Sequence, residues 1–237
     1  MGLDKAAQIR DLSRCWYLAA AAAVIAVALQ LGDDGAREAL AYSREHLASG
    51  QIWRLATGHF VHLGWSHLVL NLGGLVLVFW IVGGAFNWRE WLYIAVISIA
   101  TIDAGFWFLY PELGWYVGLS GLLHGLLAAG LLRGLLARDL ESLILAVFVV
   151  AKLAWEQFGG PLPGSEATSG GTVIAAPHLY GPARALLASA SLWRRLRPTS
   201  SLSCAADFDV DHQPTTDNDP ALQCGRPGWR NRACHGR

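Results

Sequence analysis

Apolar residues along this chain fall into blocks rather than into a regular stripe. An α-helix needs about 20 mostly apolar residues to cross hydrocarbon, with roughly 17 to 25 tolerated. Six segments meet or approach that length: about 14–31, 66–86, 89–109, 118–136, 140–157 and 172–192. The fourth and fifth are joined only by "RGLLARD", so the turn between them is short. The sixth is the weakest, because Pro177, His178, Pro182 and Arg184 interrupt it. The pattern predicts an all-α integral membrane protein built as a six-helix bundle.

Composition strengthens that reading. Of 237 residues, 54% are hydrophobic and 15% charged, where a soluble domain carries roughly 25% charged residues. Basic and acidic residues balance at 18 each, which gives no reason to expect nucleic acid as a partner. Cys15, Cys204, Cys224 and Cys234 form no CxxC pair, so neither a zinc site nor a disulfide framework is indicated. Lys5, Arg10 and Arg14 before "WYLAAAAAVIAVALQL" resemble a signal peptide superficially, but the further apolar segments favour an uncleaved first span.

Charge also orients the bundle. With the N-terminus cytoplasmic, the inner segments hold Lys5, Arg10 and Arg14, then Arg89, then Arg133 and Arg138, then Arg194, Arg195 and Arg197. The outer stretches 110–117 and 158–171 contain no Lys or Arg. This matches the positive-inside rule with both termini cytoplasmic. The domain plan is a cytoplasmic segment 1–13, a membrane domain 14–197 and a polar tail 198–237, which reads as disordered and cytoplasmic.

The first outer loop, about 32–65, is long for a simple connection. It mixes amphipathic stretches with Trp53, Phe60 and Trp65, residues suited to the bilayer interface, and predicts short helices lying partly in the membrane surface. His59 and His62 at its end read as interfacial or loop-packing residues.

In this topology the second, fourth and sixth spans run in the same direction, and their polar residues fall at matching depth near the outer face. His67 and Asn71 begin span two, Ser120 begins span four, and His178 lies about six residues into span six. A serine hydroxyl is a weak nucleophile that needs a base within hydrogen-bond reach. His178 or His67 could serve, since histidine titrates near neutrality. Ser120 at a helix start would lie close to free backbone N–H groups, a site for a developing oxyanion. His67 and Asn71, four apart, share a helix face and are plausible donors to it or caps of their own helix. Gly121 and Gly125 read as close-packing positions. Lys152 and Glu156, also four apart, read as a structural pair, and Asp103 has no partner legible in the sequence.

The motifs "WR" (53–54), "HFVH" (59–62), "HLVLN" (67–71), "GLSG" (118–121) and "HLYG" (178–181) resemble those of the rhomboid intramembrane serine proteases, in order and on the right spans. The resemblance covers about residues 50–190. It implies a six-helix rhomboid-like bundle and a Ser120–His178 dyad with no third acid residue. It also implies an oxyanion hole formed by His67, Asn71 and the backbone around Gly118 and Ser120, with no metal or cofactor.

Position 124 is usually Tyr or Phe in rhomboids, stacked on the histidine, and here it is His124. That feature, the compact six-span layout and "AAPHLYG" are similar to the rhombosortase subfamily. The similarity implies a protease of the bacterial inner membrane, active near its outer face. Its expected substrates are single-pass membrane proteins with a C-terminal Gly-Gly motif, an apolar span and a basic end. Three departures stand beside this: Pro177 directly before His178, Ala185 where a glycine is common, and Arg184, which at mid-membrane costs about 2.5–3.5 kcal/mol on insertion scales. Two other readings exist, a catalytically silent rhomboid-like escort of membrane helices and a cytochrome with His67 and His178 as haem ligands. The second leaves GLSG and Asn71 unexplained.

Overall fold

The computed structural model describes the backbone from Gly2 to Gly160, side chains from Leu12 onward, and then residues 178, 180, 182, 185–187 and 189–192. The tail expected after Pro198, together with Pro177 and Arg184, lies outside the described residues. Along the chain run α1 (Gly2–Gln30), α2 (Asp34–Leu40), β1 (Tyr42–Ser43), α3 (Arg44–Ala48), α4 (Arg54–Thr57) and α5 (Trp65–Val82). Then come α6 (Trp88–Leu109), β2 (Trp115–Tyr116), α7 (Ser120–Leu136) and α8 (Leu140–Phe158). The described residues between 178 and 192 are helical as well.

Three helices among the described residues are long and apolar enough to cross a membrane: Leu12–Gln30 within α1, α5 extended by a 3-10 turn to Ala85, and α6. The other expected spans differ in character. α7 is apolar but only 17 residues long, about 26 Å at 1.5 Å per residue. α8 carries Glu141, Lys152 and Glu156 within its 19 residues, and the sixth span is described only from His178 onward.

Helix starts follow local chemistry. Asn87 and Glu90 form a reciprocal capping box at α6, and the Asp139 side chain accepts from the Ser142 N–H at the start of α8. Each such pairing satisfies backbone donors that the helix itself leaves unpaired. The apolar faces then sort by neighbour. Val69, Val76 and Trp80 on α5, Phe108 on α6, and Val147, Phe148 and Val150 on α8 point outward and are exposed. A water-soluble surface would not tolerate patches of that extent, whereas lipid would cover them.

α7 stands at the centre of the bundle. Its Leu122, Leu123, Leu126, Ala129 and Leu131 are buried and pack in one core with Leu68, Leu75 and Val78 of α5, Ile94 of α6, and Ala19 and Ala26 of α1. The segment 178–192 lies against α7 through a hydrogen bond from Ser189 Oγ to the Ala129 carbonyl, 2.9 Å, and through fully buried Ala185. It also meets α6, where Gly105 is required. A Cβ there would fall 2.5 Å from the Tyr180 ring. Tyr180 thereby sets how closely the helix bearing His178 approaches α6.

The loop between α1 and α5 forms the short helices that its pattern predicts. The sequence reading misses its two-residue antiparallel ladder with the segment before α7, Tyr42 opposite Tyr116 and Ser43 opposite Trp115. Behind this ladder Phe106 packs on Tyr42 and Tyr116, with ring centroids 5.3 and 4.9 Å away. Arg54 ties the loop together. It is buried, donating from Nη1 to the Glu38 and Ala41 carbonyls at 2.6 and 2.7 Å and from Nε to Gln51 Oε1 at 2.8 Å. A planar fork of donors matches three acceptors that a lysine could not reach together.

Replacing Arg54 by Met would take the donor from two part-buried carbonyls, each hydrogen bond contributing about 0.5–1.5 kcal/mol. We expect Arg54→Met to lower the thermal unfolding midpoint in detergent clearly, and Arg54→Lys to recover only part of it. An unchanged midpoint would show that the loop is held by other contacts.

Candidate active site

The site forms where the start of α7 meets the segment 178–192. Ser120 is the first residue of α7, preceded by Leu119 in helical conformation. It is partly exposed, while His178 is buried. His178 Nε2 lies 3.0 Å from Ser120 Oγ, within hydrogen-bond reach. His124, one turn after Ser120, stacks on His178 with ring centroids 4.3 Å apart and planes 20° from parallel. His124 Nδ1 donates to the Ser120 carbonyl at 2.7 Å.

The backbone before Ser120 is turned by Gly118, whose φ of +123° is open to glycine and strained for other residues. A Cβ at Gly118 would lie 2.8 Å from Cε1 of the His67 ring, so the glycine also lets α5 approach. The Gly118 N–H donates to the Gly58 carbonyl at 3.1 Å, and its own carbonyl accepts from the Tyr116 hydroxyl at 2.6 Å. Burial pushes the Tyr116 phenol well above its ordinary range, with hydrogen bonding near Ser120 and Gly121 opposing this. It stays a neutral donor. Tyr116 is a positioning group that the sequence reading does not single out.

His67 accepts from the Leu63 N–H at Nδ1, 3.3 Å, so its neutral ring carries the proton on Nε2. Nε2 is on the edge facing Gly118, and a Cβ there would be 3.1 Å from it. Asn71 is buried on the same face of α5 and donates from Nδ2 to the His67 carbonyl at 2.9 Å. The structure therefore brings Ser120, His178, His124, Gly118 and His67 together at one end of α7. Asn71 is one turn deeper along α5 and makes its hydrogen bond within that helix.

One expectation is corrected, the pairing without an acid: His178 Nδ1 is 2.9 Å from Glu156 Oε2, and both groups are buried. Lys152 and Glu156 do pair, at 3.0 Å, but Lys152 Nζ also donates to His124 Nε2 at 2.6 Å. Of the two readings of His59 and His62, interfacial or loop-packing, the structure agrees with packing: they are buried, at 1% and 2% exposure. His59 Nε2 bonds Asp103 Oδ1 at 3.2 Å, giving that aspartate a partner 44 positions away. His62 packs edge-on against His67 at 5.0 Å.

His124, Glu156 and His178 also hold potential metal-ligating atoms within 4.8 Å of one another. The Lys152 ammonium already contacts two of the three residues. The lysine supplies the positive charge there, and a divalent ion would have to displace it.

Residues 49–195 match the family described as the Rhomboid domain. Over 130 residues, 54% of this chain, the sequence is 28% identical to the rhomboid protease GlpG of Salmonella paratyphi A (strain ATCC 9150 / SARB42). It is 29% identical over the same length to the GlpG of Salmonella typhi. The matched stretch spans 45% of the length of each relative.

The His62 environment gives the site a pH signature. Burial first, then the neighbouring His67, lowers the His62 pKa to about 4, while its bond to the Phe60 carbonyl opposes the shift. The unfolded chain, with histidine near 6.5, binds the proton first. Stability is therefore fully present above about pH 6.5 and falls as the pH drops toward 4, by a total on the order of 3 kcal/mol. Thermal unfolding in detergent should lose stability across that window for the wild type and distinctly less for His62→Gln. Equal acid slopes for both proteins would contradict this.

Proposed function

The chain belongs to the rhomboid family, and we propose that it is a serine intramembrane endopeptidase with Ser120 as nucleophile and His178 as general base. The observation carrying this reading is the 3.0 Å contact between His178 Nε2 and Ser120 Oγ. In the first step Oγ attacks the scissile carbonyl carbon while its proton moves to Nε2. The carbonyl oxygen becomes the oxyanion of a tetrahedral intermediate. His178 then gives that proton to the leaving amine, and the C–N bond breaks to leave an acyl-serine. Water, deprotonated by the same nitrogen, hydrolyses the ester and restores Ser120.

Donors for the oxyanion come from the start of α7 and from α5. The Ser120 N–H precedes the first intrahelical bond of α7, which runs from the Leu123 N–H to the Leu119 carbonyl. His67 Nε2–H faces the same turn, and Asn71 offers its second amide proton as a substrate carbonyl arrives. Placing these groups at the end of the helix lets water reach an otherwise apolar site. A substrate helix must unwind to present its peptide bond, so glycines near the cut favour cleavage, because glycine is a poor helix former.

The finer reading is a rhombosortase-like enzyme, with six spans and both termini cytoplasmic, in a bacterial inner membrane and active near the outer face. His124 in place of an aromatic residue supports it, as do Arg89, Arg133 and Arg138 on the segments assigned to the inner side. The substrates it fits are single-pass proteins with a C-terminal Gly-Gly motif, an apolar span and a basic end. A mere escort of membrane helices has no use for a serine hydroxyl held against a buried histidine.

Co-expression with such a substrate in bacterial membranes tests the reading. Wild type should release the outer portion. Ser120→Ala and His178→Ala, at equal membrane levels, should lower the rate by ~10³-fold or more, and Asn71→Ala by ~10²-fold. Cleavage persisting in Ser120→Ala would remove the serine from the mechanism. Failure of the wild type on both this substrate and generic glycine-containing membrane helices would favour the escort.

A further inference from the structure

Glu156, on α8, belongs to none of the motifs that identify the site, yet its carboxylate touches the histidine that the mechanism uses. From this placement, and resting on the protease reading above, we infer that Glu156 is a positioning residue that makes the Ser120–His178 pair a triad. Lys152 and His124 close the triad into a ring of five residues, which returns to Ser120 at its backbone carbonyl.

The ring follows from the inventory of donors and acceptors. Lysine has donors only and an ionised carboxylate has acceptors only. Lys152 Nζ must therefore donate both to His124 Nε2, 2.6 Å, and to Glu156 Oε2, 3.0 Å. Since His124 Nε2 accepts, its proton resides on Nδ1 and is donated to the Ser120 carbonyl, 2.7 Å. Since Glu156 accepts at 2.9 Å, His178 carries its proton on Nδ1 and leaves the Nε2 lone pair free for the Ser120 hydroxyl, 3.0 Å. No contact has two donors or two acceptors facing each other. Both histidines are thus fixed in the one tautomer each that activates or flanks Ser120.

The ring makes a second contribution during the reaction. When Nε2 takes the serine proton, the His178 imidazolium forms beside a buried carboxylate, which stabilises it. Glu156 does not take that proton; its task is to orient and to stabilise. Lys152 also bonds that carboxylate, at 3.0 Å. Among the described residues, the charged and titratable groups around His178 are Glu156 and Lys152 on α8, His124 on α7 and His67 on α5; Asp103 on α6 is engaged by His59. Of these, Glu156 alone is an anion in contact with the ring.

Two measurements on the full-length protein in detergent or membranes test this. The first is the pH dependence of cleavage. Glu156→Gln should reduce the rate by ~10²–10⁴-fold at neutral pH and move the acid limb of the profile to lower pH, because the imidazolium loses its counter-ion. Glu156→Asp should recover part of the rate and most of the limb position. A residue with a packing role alone would reduce the amount of folded enzyme and leave the limb in place. Wild-type rate and profile in Glu156→Gln, with Ser120→Ala inactive, would overturn the triad and keep the protease.

The second measurement does not depend on proteolysis. With ¹⁵N-histidine labelling, the His178 Nδ1 proton should give a low-field resonance that disappears in Glu156→Gln and weakens in Lys152→Met. If wild type cleaves nothing, the protease reading fails, and these resonances still decide whether the ring exists. An unchanged His178 resonance in Glu156→Gln would overturn it.

Discussion

Polar atoms held away from water need partners. A buried hydroxyl, imidazole or carboxylate without one costs kilocalories, and an unpaired charge costs far more. The end of α7 gathers two imidazoles, a carboxylate and an ammonium among apolar helices, and this is tolerable only because each finds a complement. His178 lies between Ser120 and Glu156, and Lys152 between Glu156 and His124. The rest of the bundle is arranged to keep these contacts at hydrogen-bond length. On the opposite side of α8, Val147 and Val150 are exposed, so a single helix divides its surface between the ring and the lipid.

Rigid backbone supports that chemistry from the other direction. Ser120 is aimed by the turn at Gly118, and the turn is held by the Gly58 carbonyl, the Tyr116 hydroxyl and the ladder between β1 and β2. The long loop before α5 is therefore part of the site's frame. Arg54 fixes the loop, the loop carries Tyr42, and Tyr42 pairs with Tyr116 two residues before Gly118. Tyr180 against Gly105, with Ser189 against Ala129, sets the approach of the helix that brings His178.

Much of the fold is legible in the spacing of apolar residues. The expected spans 66–86, 89–109 and 140–157 end within a residue or so of the helices observed, once the 3-10 turn that extends α5 to Ala85 is counted, because hydrocarbon-length runs bounded by Asn87, Asp139 and glycines leave little freedom. The meeting of Ser120 with His178, 3.0 Å apart, is legible because each sits in a short motif. Glu156 is not. Its spacing from Lys152 indicates a pair on one face of α8, and that pair exists. Which neighbour that face meets depends on the rotation of α8 against a helix 22 positions away, which no local pattern encodes. The His59–Asp103 pair and the β ladder escape for the same reason, since both join positions far apart in sequence.

The account stands on Ser120 being a nucleophile activated by His178, and a covalent probe tests this without any knowledge of the substrate. A fluorophosphonate bearing an apolar tail, incubated with the membrane-embedded protein and followed by peptide mass spectrometry, reads the nucleophile directly. The account predicts one adduct, on Ser120, formed at a rate that collapses in His178→Ala. An unmodified Ser120, or labelling at the same rate without His178, would contradict it.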